Sequence, residues 1–183
     1  MKALLTTLMM SVLHAQSEEE IAVKAASGRF EVAQSYEGDR DRGEGEFVET
    51  LRFSNSKLSA VRLAGASWPG VYSISPDEHW LLRVQKTGSG DNVAMLYQIK
   101  KNGRVLEVLG FDNLLWSVSD KTSRLKQKEL YHTRITDWEW SGNSGSLVFT
   151  LKGSNTAKSG DGIECRIIYD LKTGRAVVEP SKE

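Results

Sequence analysis

Apolar and polar positions alternate with period two over several stretches of the chain, the pattern of strands with two unlike faces. Phe47, Glu49, Leu51 and Phe53 alternate with Val48, Thr50 and Arg52. Trp80, Leu82 and Val84 share one face of a second strand, and Val93, Met95, Tyr97 and Ile99 share one face of a third. Further along, Leu147, Phe149 and Leu151 form a strand face, and Cys165, Ile167 and Tyr169 continue the ladder. Turn residues punctuate these runs. Asn102-Gly103 is a strong hairpin signal, because both central positions of such a turn take positive φ. Pro76 fixes a backbone angle and Asp77 can accept local backbone hydrogen bonds, so Ser75-Pro76-Asp77 reads as a turn. Ser141 to Gly145 and Thr173-Gly174 read in the same way.

The order turn, strand, variable loop, strand, tight turn, strand occurs three times, over about 27–64, 73–110 and 135–179. Three of its closing phrases run into a polar turn with a basic residue at its end: Thr50 to Lys57, Tyr97 to Arg104 and Tyr169 to Arg175. A recurring unit decides the fold before any single residue does. The expected fold is all-β, with antiparallel three-to-four-stranded units repeated about three times. The extra length between the second and third units lies in Phe111 to Leu130. A short helix is expected near 119–130, capped by Ser119 or Asp120, with a polar loop as the alternative; the segment could follow a fourth edge strand over Asn113 to Val118.

The two ends read differently. Lys2, the apolar run Ala3 to Leu13 and the small residue Ala15 have the form of a secretion signal over 1–15, with a leader over 16–26. The apolar run is shorter than the ~20 residues of a bilayer span. The ordered domain is expected over 27–180, with 181–183 as a tail. This places the mature protein outside the cytoplasm, secreted or periplasmic, without a membrane span.

The chain has 183 residues, 24 basic against 24 acidic, and a formal net charge of zero. That length suffices for one core without metal or disulfide staples. The balance, with no long basic tract, gives no electrostatic case for nucleic acid or for a polybasic grip on anionic lipid. Cys165 stands alone, so no internal disulfide forms, and its place in an alternating run makes it a buried strand residue.

The run Ile74-Ser75-Pro76-Asp77-Glu78-His79-Trp80-Leu81-Leu82 resembles the blade start of TolB-like and WD40-like β-propellers. Trp140 to Phe149 looks like a second copy, with Gly142-Asn143 in place of proline-aspartate. Tyr169 to Arg175 is similar to a blade end, and the first unit lacks the serine-proline-aspartate phrase. A closed propeller has at least four blades. Three units therefore imply a propeller-like arrangement that is incomplete or open. The resemblance implies a binding scaffold and carries over no catalytic residue.

Few residues offer chemistry. His79 and His132 have no metal-ligand spacing, and no serine elbow or phosphate-binding glycine loop is present. No cofactor is implied. Asp39, Asp41, Glu44 and Glu46 could offer hard oxygens to calcium, although Arg40 and Arg42 neutralise the loop. Asp137 and Glu139 share one strand face opposite Trp138 and Trp140. Among the aromatics, Trp68 stands in Gly65 to Gly70, a loop without alternation, where a tryptophan could stack on a sugar or anchor a partner; burial under the sheet is the competing expectation. Tyr72, Trp116 and His132 complete the candidate ligand-binding set. The leading expectation is a non-enzymatic binding or accessory protein of the cell envelope, with an envelope protein or glycan as partner. A glycan- or peptide-directed hydrolase is the first alternative. An assembly subunit, a homo-oligomer pairing through an open sheet edge, is the second.

Overall fold

A computed structural model describes residues 19–39, 41–63, 65–122, 126–154 and 162–180. The expected signal over 1–15 and the tail over 181–183 lie outside the described residues. Three four-stranded antiparallel sheets follow one another along the chain. The first holds β1 (Glu20–Lys24), β2 (Phe30–Asp39), β3 (Glu44–Phe53) and β4 (Val61–Arg62). The second holds β5 (Gly70–Ile74), β6 (Trp80–Lys86), β7 (Asn92–Ile99) and β8 (Val105–Glu107). The third holds β9 (Tyr131–Trp140), β10 (Ser146–Ser154), β11 (Gly162–Asp170) and β12 (Arg175–Val178). Neighbours in sequence are neighbours in each sheet, and no sheet closes into a barrel.

The all-β repeat holds, with four strands in every unit. Three details differ from the sequence reading. Residues 20–24, assigned to a leader, form β1 and pair with β2. The second and third sheets begin a few residues before their expected starts, at Gly70 and Tyr131. The short helix runs from Phe111 to Thr122 (α1) rather than near 119–130, and it occupies Asn113 to Val118, where an edge strand could precede it; a 3-10 turn spans Gln127–Glu129. The physical reason is visible in the chain: Phe111, Leu114, Leu115 and Val118 recur at helical spacing. They seat α1 on the second and third sheets, with Phe111 edge-on to Phe149 and Tyr169.

The second sheet is the middle layer. Leu81, Tyr97 and Ile99 face the first sheet and pack with Phe30, Val32 and Leu51. Leu82, Val84, Ala94 and Leu96 face the other way, onto α1 and the third sheet's Leu147, Phe149, Leu151 and Ile167. Cys165 is buried in this second core, as expected from its strand position.

The repeat is accurate at the level of single hydrogen bonds. In the first turn of each unit, Ala25, Ser75 and Ser141 accept from Gly28, Glu78 and Ser144, each at 2.8 Å. Those three donors all have positive φ, at 73°, 57° and 52°. One residue on, the carbonyls of Arg29, His79 and Gly145 accept from Ser54, Ile99 and Leu171 of the last tight turn. First and last turns of all three sheets therefore share one rim. The turns also link unit to unit. The Ser27 N–H donates to Glu78 Oε1 (2.7 Å), and the Asp77 N–H donates to Ser144 Oγ (3.0 Å). In both cases the positive-φ residue of one unit captures the backbone of the unit before it.

Candidate functional site

At the rim opposite those turns, the layer between the first and second sheets changes from apolar to polar. Gln34, Glu49, Arg83 and Gln85 occupy core-facing positions of β2, β3 and β6, and all four are buried. A buried charge needs a partner and saturated hydrogen bonding. The Arg83 guanidinium meets Glu49 Oε2 in an ion pair whose side chains are both fully buried. The nitrogen of that pair, Nη2, also donates to Gln85 Oε1 (2.6 Å), Nη1 donates to the Met95 sulfur (3.2 Å), and Nε has no hydrogen-bond partner. Glu49 Oε1 accepts from Gln34 Nε2 (2.9 Å) and from the Gly70 N–H (2.7 Å). Burial, with the Glu49 carboxylate beside it, pushes the Tyr72 hydroxyl far above its ordinary range. Burial also raises Tyr97.

This cluster holds a loop. Gln34 Nε2 donates to the Gly70 carbonyl (2.8 Å), and Gln85 Nε2 donates to the Trp68 carbonyl (2.8 Å). Gly70 is required by close approach: a Cβ there would lie 2.8 Å from Glu49 Oε1 and 2.9 Å from Arg83 Nε. The backbone of Trp68-Pro69-Gly70 is thus fixed from beneath while its side chains face outward. Trp68 is 40% exposed and Val71 56% exposed. The Lys86 ammonium stands 5.1 Å from the Trp68 ring centroid, within cation–π range.

Pro69 and Val71 form a ridge between two open clefts. One, of about 470 Å³, runs along the first sheet and is lined by Ala22, Gln34, Tyr36, Phe47, Pro69 and Gly70, among others. The other, of about 250 Å³, lies on the far side of the ridge, where Val84, Lys86, Asp91, Asn92 and Arg134 join Pro69 and Val71. Its wall is braced across sheets: Asn92 exchanges hydrogen bonds with the Ile135 backbone, and Asp91 accepts from the Thr133 N–H (2.7 Å).

The sequence candidates are dispersed. Trp68 is on the ridge, on the exposed side of the two expectations. Tyr72 lies behind it in the buried layer, 9% exposed. Trp116 is a residue of α1 and only 1% exposed, with an indole N–H that has no hydrogen-bond partner, so its ring offers no surface to a ligand. His132 has φ 54° and contacts the Ser89 carbonyl through Nδ1 (2.7 Å), clasping the β6–β7 loop. Asp39 accepts from the N–H groups of Asp41 and Arg42 and pairs with the Arg42 side chain, while Glu46 pairs with Arg62. Among the described residues no group of three or more His, Cys, Asp or Glu side chains is placed to hold a metal ion.

Ser75, Asp77 and His79 come close to a hydrolytic arrangement without making one. His79 Nδ1 is 3.1 Å from Asp77 Oδ2, but Ser75 Oγ donates to Asp77 Oδ1 (2.6 Å) rather than to the imidazole. Ser75 is also buried. The set closes a turn. The buried Arg83–Glu49 cluster escaped the sequence reading; Arg83 and Gln85 alternate with Leu82 and Val84 as solvent-facing residues would.

No protein-family model matches the chain, and no curated protein matches its sequence. Among solved structures the chain is similar to the apo form of the isopeptidase AtxE2, at 12% identity and a TM-score of 0.47 over 86% of this chain and 28% of that one. It is similar to an acylaminoacyl peptidase of Pyrococcus horikoshii, at 10% identity and 0.44 over 83% and 23%. It is also similar to TolB from Acinetobacter baumannii, at 14% identity and 0.40 over 87% and 32%. The chain spans about a third or less of the length of each of these proteins. No described helix is long and apolar enough to cross a membrane.

Proposed function

We propose that the protein is a non-enzymatic binding or accessory protein of the cell envelope, secreted or periplasmic, built as an open stack of three propeller-blade-like units. Its ligand site is the Trp68–Pro69–Val71 ridge with the clefts on either side. The observation that carries this reading is the buried cluster itself. Four polar side chains are removed from water, and three of them bond to the backbone of the loop that displays Trp68. Such fixing lowers the ordering cost of binding. The ridge pairs aliphatic side chains with an aromatic ring that already carries a cation near it. That composition suits the apolar side chain of a protein segment better than a sugar, which stacks on a free aromatic face.

Panning a displayed random-peptide library tests this. Peptides enriched by the native protein should be lost on Trp68→Ala, which should retain its fold because the side chain is exposed. Enrichment indifferent to Trp68, or binding confined to a glycan array, would sink the reading. Cleavage of bound peptides, followed by mass spectrometry, would favour the hydrolase instead.

A further inference from the structure

The basic residue that closes each repeat has a consequence in three dimensions. The last turns of the three sheets are 54–57, 100–104 and 170–175, and all lie on the rim away from Trp68, tied to the first turns by the Ser54, Ile99 and Leu171 hydrogen bonds. These segments carry six cations, Lys57, Lys100, Lys101, Arg104, Lys172 and Arg175, against one carboxylate, Asp170. None of the six makes an ion pair with a described residue, and all but the half-buried Lys100 are exposed. Asp170 is turned inward to the turn, accepting from the N–H groups of Lys172 and Thr173, which holds its carboxyl below the usual range. The first turns on the same rim add no free charge: Arg29 pairs with Glu78, and His79 with Asp77.

The opposite rim is different. Glu37, Asp39, Asp41, Glu44 and Glu46 surround the β2–β3 loop there, with Asp39 paired to Arg42 and Glu46 to Arg62. A chain that is neutral overall thus has one rim of unpaired cations, which net charge conceals.

We propose that the last-turn rim docks the protein on an anionic lipid surface, with the Trp68 ridge facing away from it. A protein partner is the weaker fit, because specific protein interfaces centre on buried aromatic or aliphatic anchors. The only large apolar residue of these turns, Leu171, is itself buried in the core. Cations on rigid turns along one rim, without an apolar wedge, match the headgroup plane of a bilayer, where each Lys or Arg near the surface contributes about fivefold in affinity.

Vesicle co-sedimentation of the full chain tests this. Binding is expected to vesicles of phosphatidylcholine mixed with phosphatidylglycerol and not to phosphatidylcholine alone. It should fall steeply as salt rises from about 0.1 M toward about 1 M, where the Debye length shrinks from ~10 Å to ~3 Å. Lys101→Gln and Lys172→Gln should each weaken binding about fivefold, with circular dichroism confirming the fold. Arg42→Gln removes the same charge at the opposite rim and should leave binding within twofold, on the order of 0.4 kcal/mol. Equal losses from all three variants, binding to neutral vesicles, or capture by polyglutamate without any binding to anionic vesicles would overturn the proposal.

Discussion

Arg83 and Glu49 lie in different sheets, 34 positions apart in sequence, and meet where neither is exposed. A pair of this kind adds little net stability, since two desolvation costs offset one attraction, but removing one member leaves a buried charge alone. Arg83→Met or Glu49→Leu is therefore expected to cost about 3–5 kcal/mol. The double variant Arg83→Met with Glu49→Leu should recover a large part of that. Chemical denaturation of the four proteins as a double-mutant cycle measures it. If each single variant lost under 1 kcal/mol, the pair would be wetter than its burial indicates. The pair was illegible in the sequence for a specific reason. Alternation separates a strand's two faces without saying that both are covered. In the middle layer the face of Leu81, Arg83 and Gln85 is as dry as the face of Leu82 and Val84. Trp68, by contrast, was legible as an outlier because its loop breaks alternation.

The turns are the element whose chemistry the sequence displayed most openly. Gly28, Glu78 and Ser144 occupy one position in three copies, all with positive φ. Glycine adopts that conformation freely; a residue with a Cβ loses about 1–2 kcal/mol. Glu78 offsets the strain by receiving the Ser27 N–H and hydroxyl and by standing beside Arg29. Glu78→Ala keeps the strain and deletes the contacts, whereas Glu78→Gly deletes the contacts and relieves the strain. Thermal or urea unfolding should rank native above Glu78→Gly, and Glu78→Gly above Glu78→Ala by about 1 kcal/mol. The Ser27 hydrogen bonds lower the Glu78 carboxyl pKa from its ordinary 4.5. A depressed folded-state pKa gives stability that is complete above the unfolded value and is lost as pH falls through the folded one. Unfolding followed below about pH 4.5 should thus show an acid loss that Glu78→Gln reduces. An identical acid limb in both proteins would remove Glu78 from the account. The strands that escaped notice share a cause as well: β1 and β5 have five residues each, too few for a sustained alternation to show. The helix α1 is marked by the i, i+3, i+4, i+7 spacing of Phe111, Leu114, Leu115 and Val118, but Ser119 and Asp120 near its end, as capping residues, point to a later start.

The three described units do not close into a ring, so the first and third sheets each have a face that no further described sheet covers. A repeat array stays soluble when its terminal units carry polar outer faces. The outer face of the first sheet carries Lys24 against Glu31, Arg52 against Glu19, and Arg62 against Glu46. The outer face of the third carries Lys152 between Asp137 and Glu164, and Arg166 against Glu179. One aliphatic row, Val148, Ile168 and Val177, crosses that last face, too small for the patches that mark obligate partners. Five of the six sheet edges are guarded too. β4, β8 and β12 have two, three and four residues, and β1 and β9 are bulged. Short and bulged edges resist pairing with another chain. Open in topology but capped in chemistry, the stack is expected to be monomeric, against the reading of an edge-paired assembly subunit. It should also unfold as one body, because the middle sheet belongs to both cores: Leu81→Ala empties one and Leu82→Ala the other. Each should cost about 2–5 kcal/mol, and each should shift a single cooperative transition rather than split it. Sedimentation at rising concentration checks the first expectation and calorimetry the second. A concentration-dependent dimer would return the assembly reading to the front, and two separated transitions would show that the middle sheet does not couple the cores.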